Sequence, residues 1–174
     1  MAERPGAEKG TAMNDEGFGK GSHLHLIDGS AFIFRAYHRL PPLSDPEGTP
    51  VGAVYGFTAM LINLLRDEEP SHVAAAFDVS RKTFRSEMYP EYKAQRSKSP
   101  DEFNGQVDLT KEVLDALGVS VLAIEGYEAD DIIATLATRA REDGYKVLIV
   151  TGDRDSLQLF DASTTVLYPR KGVS

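Results

Sequence analysis

Seven carboxylates stand behind apolar runs in this sequence. Asp28 follows Leu26-Ile27, and Asp78 follows Ala76-Phe77. Glu128, Asp130 and Asp131 come shortly after the run Val119 to Ile124, and Asp153 and Asp155 follow Lys146 to Val150 through Thr151-Gly152. If those runs are parallel strands, the acids share the carboxyl edge of one sheet, where open α/β sheets bind their ligands. Collecting so much negative charge is unfavourable unless pKa values rise or cations bind. Oxygen donors with no His or Cys among them suit Mg²⁺ or Mn²⁺ rather than Zn²⁺. Two such ions ~4 Å apart can activate a water and stabilise the leaving oxygen in phosphodiester hydrolysis. Taken singly, each acid has a plainer use: Asp after a strand caps the next helix, and Asp130 suits a helix dipole. Caps alone give no reason for acids after four strands in succession, so a metal site is expected. Glu125 falls outside the pattern and is read as solvated. His23, His25, His38 and His72 lack a second nitrogen ligand at suitable spacing and are read as structural.

Cations gather just beyond Asp78. From Arg81 to Lys98 there are six basic residues (Arg81, Lys82, Arg85, Lys93, Arg96 and Lys98) against Glu87 and Glu91. The segment is therefore +4 within a chain of net charge −8. Phe84, Tyr89 and Tyr92 are interleaved with these cations. Basic groups neutralise phosphates and aromatic rings stack on unpaired bases, a combination that suits single-stranded nucleic acid. A solvated basic face is the plainer reading. Its position beside an acidic strand end instead suggests that it holds a scissile phosphate against the ions and offsets transition-state charge.

The elements needed to place these residues follow from hydrophobic spacing. Strands are expected at His23 to Ile27, Val73 to Phe77, Val119 to Ile124, Lys146 to Val150 and Thr164 to Tyr168. Val51 to Arg66 carries apolar residues at helical spacing behind Pro50; Val107 to Leu117 reads as a helix stopped by Gly118, and Ala129 to Glu142 as one closed by Gly144. Alternation of strands and helices implies βαβ crossovers, hence an α/β fold with a mostly parallel central sheet and helices on both faces. Ser80 to Gly105 is polar, basic and interrupted by Pro90 and Pro100, too long for an ordinary connection. Residues 1–21 lack apolar periodicity and are expected to be a disordered tail, leaving 22–174 as one domain.

Composition narrows the class. With 174 residues, 41% of them hydrophobic and 26% charged, the chain has room for one soluble domain with a real core. It has no cysteine, which removes disulfides, thiolate sites and cysteine nucleophiles. No apolar run approaches the ~18–20 residues of a membrane span, and no signal-peptide stretch is visible, so a cytoplasmic location is expected.

Seven blocks then occur in a familiar order: Leu26-Ile27-Asp28-Gly29-Ser30, Ala53-Val54-Tyr55-Gly56-Phe57, Phe77-Asp78, Thr83-Phe84-Arg85, Tyr92-Lys93-Ala94, Gly126-Tyr127-Glu128-Ala129-Asp130-Asp131 and Thr151-Gly152-Asp153-Arg154-Asp155. From about His23 to Tyr168 the chain resembles the 5′-nuclease domain of bacterial DNA polymerase I. The resemblance implies a PIN-like, resolvase-like fold and metal-dependent 5′→3′ exonuclease and flap endonuclease activity on DNA. It implies that Asp28, Asp78, Glu128, Asp130, Asp131, Asp153 and Asp155 match the metal-binding acids. Arg85, Lys93 and Arg96, with Arg81, Lys82 and Tyr92 beside them, would line a basic arch that passes a 5′ single strand, Lys93 contacting the scissile phosphate. Members of that family continue into a further acidic pair and a helix-hairpin-helix element. This chain ends at Ser174 before either, so a second metal position would lack its downstream ligands. A C-terminal half or polymerase domain is the expected partner.

Two other enzyme classes fit less well. Haloacid-dehalogenase-like phosphatases need a second Asp two residues after the first, where this chain has Ser30. Dinucleotide binding needs a Gly-x-Gly-x-x-Gly loop, and Asp28-Gly29-Ser30-Ala31 is not one. The remaining alternative is a catalytically inert fragment that binds single strands or flaps.

Overall fold

Leu26 and Ile27 are neighbours in sequence yet lie in opposite cores, as the two-residue period of a strand buried on both faces requires. The computed structural model describes residues 23–80, 82–95 and 98–168; the expected tail over 1–21 lies outside them. Five strands form one sheet: β1 (His23–Asp28), β2 (His72–Ala76), β3 (Ser120–Leu122), β4 (Lys146–Val150) and β5 (Thr164–Leu167). Every pairing is parallel and the order is β3-β2-β1-β4-β5. After β3 the chain therefore crosses from one side of β1 to the other, which makes the β1–β4 boundary the switch point of the sheet.

Helices cover both faces, as expected. On one face lie α1 (Gly29–Arg39), α2 (Gly52–Glu68) and α4 (Asp101–Ala116), packing Phe32, Ile33, Phe57, Leu61 and Leu114 against Ile27, Ala75 and Val150. On the other, α5 (Ala129–Glu142) packs Ile132, Ile133 and Ala137 against Leu26, Ala74 and Ile149. A short α3 (Phe84–Met88) and a 3-10 helix (Arg154–Leu159) complete the elements. α5 and β4 have the bounds their spacing predicts. α1 was not anticipated, although Phe32, Ile33 and Ala36 form its buried stripe. α4 begins six residues earlier than expected and takes in the end of the basic stretch, so the true insertion is shorter than Ser80 to Gly105. Pro100 precedes its first turn, and Asp101 and Glu102 there suit the helix dipole. Gln106, only 3% exposed, faces inward and its Oε1 accepts the Ala53 N–H at 2.7 Å, satisfying one orphan donor at the start of α2.

The first turn of α1 is packed without slack. A Cβ at Gly29 would lie 2.4 Å from the Phe77 ring, which is fully buried and near Phe57. Gly29→Ala should therefore lose stability. Overpacking costs about 1–3 kcal/mol, against a helix-propensity gain of at most ~1 kcal/mol. Urea denaturation reads the difference, and an unchanged midpoint would mean that Phe77 has room to move.

Candidate metal and nucleic-acid site

Asp28 ends β1 at the switch point and is 4% exposed. One of its oxygens caps α1 by accepting the Ala31 N–H at 2.9 Å, and the other accepts the Thr151 hydroxyl at 2.9 Å. Thr151, at the end of β4 and fully buried, in turn accepts the Asp153 N–H at 3.0 Å. One hydroxyl thus joins the acids of two adjacent strand ends. Asp78, after β2, has its N–H bonded to Ser30 Oγ at 2.9 Å, and its Oδ1 accepts the Ala129 N–H at 2.7 Å at the start of α5. Asp153 accepts the Asp155 N–H at 2.9 Å and caps the 3-10 helix. The capping role considered from sequence is therefore real for Asp28 and Asp153, whereas Asp78 serves not the next helix but the start of α5.

Caps satisfy hydrogen bonds but leave charge behind. Burial raises the Asp28 pKa above the carboxylate range, and the charges of Asp78 and Asp153 add to it against the Ala31 and Thr151 hydrogen bonds. Asp130, on the first turn of α5, is raised to about 6, first by burial and then by Asp28, Asp153 and Asp78. Four aspartates from four strand-to-helix junctions therefore share one electrostatic site. Among the described residues no three carboxylates converge tightly enough to make a finished ligand shell. Mutual repulsion is a sufficient reason for like charges to stand apart until a cation draws them in. The donor set fits such an ion: hard oxygens, partly buried and uncompensated. The other three acids sit differently. Glu128 bonds Lys93, Asp131 bonds Arg85, and Asp155 is exposed on the 3-10 helix, outside the charges that shift Asp28 and Asp130. Glu125 is exposed, as expected.

The basic segment folds over this acidic edge. Lys93 Nζ donates to Glu128 Oε2 at 2.5 Å and lies 5.0 Å from the Tyr92 ring centroid. Its backbone adopts a left-handed conformation with φ +54°, uncommon for a residue with a side chain. Burial pulls the Lys93 pKa down, but the bonds and charges of Glu128 and Tyr92 outweigh it, so the ammonium is held above its ordinary range. Lys93 also lowers Asp130, which places it within electrostatic reach of the quartet. Arg85 grips Asp131 with both terminal nitrogens at 2.8 and 2.6 Å, keeping that carboxyl below its usual range. Lys82 is exposed; Arg81 and Arg96, expected in the arch, lie outside the described residues. Sequence reasoning passed over Thr151 and Ser30. Their only signal was a hydroxyl beside an acid at a strand end, and Ser30, which counted against a phosphatase, holds the Asp78 backbone in place.

An all-parallel sheet with acids gathered at its switch point and a cationic segment above them defines a resolvase-like α/β domain. The chain belongs to the 5'-3' exonuclease family, by its N-terminal resolvase-like domain, whose family model matches residues 23–174. DNA polymerase I of Mycobacterium tuberculosis is 65% identical over 153 residues, covering 87% of this chain and 17% of that protein. The "5'-3' exonuclease" of Aquifex aeolicus is 42% identical over 146 residues, covering 84% of this chain and 50% of its own length. The expected resemblance to the N-terminal part of DNA polymerase I is thus borne out, and the chain spans 17% of that polymerase and half of the Aquifex exonuclease. Among solved structures, a bacteriophage T5 flap endonuclease in a complex with DNA and metal ions has the same fold, with a TM-score of 0.64 and 18% identity. The match covers 84% of this chain and 54% of that one. Among the described residues no helix is long and apolar enough to cross a membrane.

Proposed function

We propose that this chain is a divalent-metal-dependent 5′→3′ exonuclease and flap endonuclease domain that hydrolyses DNA phosphodiester bonds in replication and repair, in the cytoplasm. The observation that carries the reading is the shared charge of Asp28, Asp78, Asp130 and Asp153 at the switch point, beneath Lys93. Those four acids, with Glu128 once Lys93 leaves it, would hold Mg²⁺ or Mn²⁺; Asp155 stands at the side where a second ion and acids from a C-terminal half would complete the site. Bound ions would supply an activated water and neutralise the leaving oxygen. Lys93 would exchange Glu128 for the scissile phosphate of a 5′ end or flap. Tyr92, with Lys82, Arg81 and Arg96, would guide the single strand. The metal site draws support from the uncompensated carboxylates, and the DNA reading from the family and from the +4 segment.

Cleavage of a labelled 5′-flap DNA with Mn²⁺ tests the proposal. A second reading, an inert flap-binding fragment, draws on the absence of three converged carboxylates among the described residues. Binding that is indifferent to metal, with no cleavage by a folded protein, would favour it. Lys93→Ala should slow cleavage about 10²-fold, the scale of losing one preorganised charge contact, while Mn²⁺ affinity by calorimetry stays within a few-fold. Unchanged rates would remove Lys93 from the chemistry.

A further inference from the structure

We propose that Arg85 and Asp131 form a permanent strut, so that Arg85 is a positioning residue rather than a phosphate ligand and Asp131 is not one of the metal-binding acids. The role assigned to the strut rests on the function proposed above. The pair itself rests on geometry. Both terminal nitrogens of Arg85 reach the two oxygens of Asp131 at 2.8 and 2.6 Å. Asp131 Oδ2 also accepts the Glu128 N–H at 3.0 Å, so both oxygens are engaged and the first turn of α5 is closed by the same carboxylate. Lys93 acts on both neighbours, but Arg85 acts on Asp131, whereas Asp28, Asp153 and Asp78 act on Asp130. Adjacent acids thus serve two different sites.

The fork is not the only tie between these segments. Thr83 and Gly126 form a parallel backbone bridge, the Phe84 N–H donates to Gly126 O at 2.9 Å, and Thr83 is 3% exposed. The Phe84 ring lies 5.6 Å from the Tyr127 ring and 4.6 Å from the Arg85 guanidinium carbon. Residues 83–85 are therefore fastened to 126–131 by backbone, ring contact and ion pair together. A bidentate guanidinium–carboxylate pair is specific in shape and loses both bonds if either partner turns away. Lys93 differs: one ammonium on a flexible stem reaches a single oxygen of Glu128, and it can trade that carboxylate for a phosphate by a rotation. The strut fixes the foot of the basic segment, and through the Glu128 backbone it sets the direction of Glu128 and Asp130. Lys93 is left as the exchangeable contact.

A double-mutant cycle on the whole chain tests this: Arg85→Met, Asp131→Asn, the pair combined, and Arg85→Lys. Three quantities are read: chymotrypsin cleavage at Tyr92 in metal-free protein, Mn²⁺ affinity by calorimetry, and the salt dependence of binding to a single-stranded DNA oligonucleotide. Each single variant should speed proteolysis roughly tenfold, because cleavage follows the population of the opened segment. The combined variant should be no worse than either single one. Arg85→Lys should behave like Arg85→Met, since it keeps the charge and loses the fork. The salt slope should not change in any of them. A slope reduced by about one in Arg85→Met and restored in Arg85→Lys would identify a phosphate ligand and overturn the strut. Loss of Mn²⁺ affinity in Asp131→Asn but not in Arg85→Met would also overturn it, by making Asp131 a metal ligand. Metal-free proteolysis answers whether or not the chain cleaves DNA, so failure of the strut and failure of the proposed function are separable.

Discussion

Replacing Asp153 by alanine is expected to cut 5′-flap cleavage by about 10³-fold, because a catalytic divalent ion contributes several kcal/mol and each ~1.36 kcal/mol is tenfold in rate. Stability in the absence of metal should not follow. Asp153 adds an unfavourable charge to both Asp28 and Asp130, so removing it relieves repulsion. Alanine also removes the cap on the Asp155 N–H, a loss of about 0.5–2 kcal/mol, and the two effects oppose one another. Asp153→Asn separates them, since it keeps an acceptor oxygen and drops the charge. It should be more stable than the parent in chelator, inactive with Mn²⁺, and without the parent's upward shift in melting temperature on adding Mn²⁺. An asparagine variant that unfolds without metal would sink the argument that these acids repel one another.

The second large effect concerns pH and involves two groups of opposite sign. Asp130 has a folded pKa of about 6 against an ordinary 3.8. The folded state holds the extra proton in that window, so its contribution is fully present below 3.8 and is lost as pH rises through 6. Asp28, also raised, acts in the same direction. His25 is 4% exposed, and burial, with the neighbouring His23, lowers it from 6.5 to about 4. Here the unfolded state holds the extra proton, so stability present above 6.5 is lost as pH falls through 4. The windows overlap, so His25 offsets Asp130 between pH 6.5 and 4, and the added contribution of Asp28 leaves the metal-free parent protein gaining stability on acidification. Asp130→Asn should be more stable than the parent at pH 7 and lose that advantage on acidification. His25→Leu should show the reverse trend. Urea midpoints across that range, in chelator, decide the matter; an Asp130→Asn profile parallel to the parent's would remove Asp130 from the account. Asp131, held low by Arg85, adds acid sensitivity only below the ordinary carboxylate range.

Much of this site was legible because its signals are local. An apolar run followed by an acid can be read within six residues, and the positions of Asp28, Asp78 and Asp153 follow from it. α5 was legible for a similar reason: Ile132, Ile133, Leu136 and Ala140 repeat at helical spacing and Gly144 ends the pattern, although Ala137 is buried more deeply than Leu136. What escaped depends on partners distant in the chain. Nothing within ten residues of Arg85 indicates that its guanidinium turns to Asp131, 46 positions on. Gln106 is polar, so hydropathy places it outside a helix core, whereas its use is to receive a backbone N–H from another helix. The start of α1 was missed because Asp28-Gly29-Ser30 carries chemistry and looks like a loop. In the structure Asp28 is itself the helix cap.

The order of the strands also sets when the site can exist. β1 pairs with β2 about fifty residues downstream, but its other neighbour, β4, is made more than a hundred residues after it. The bond between Asp28 and Thr151 spans 123 positions, so the loop it closes is among the slowest contacts for the chain to find. Asp153 arrives only with β4. A chain whose β4 has not docked has no assembled quartet, whatever the state of its α1–α2 face and β1–β2 edge. Docking of β4 and assembly of the acidic site are the same event.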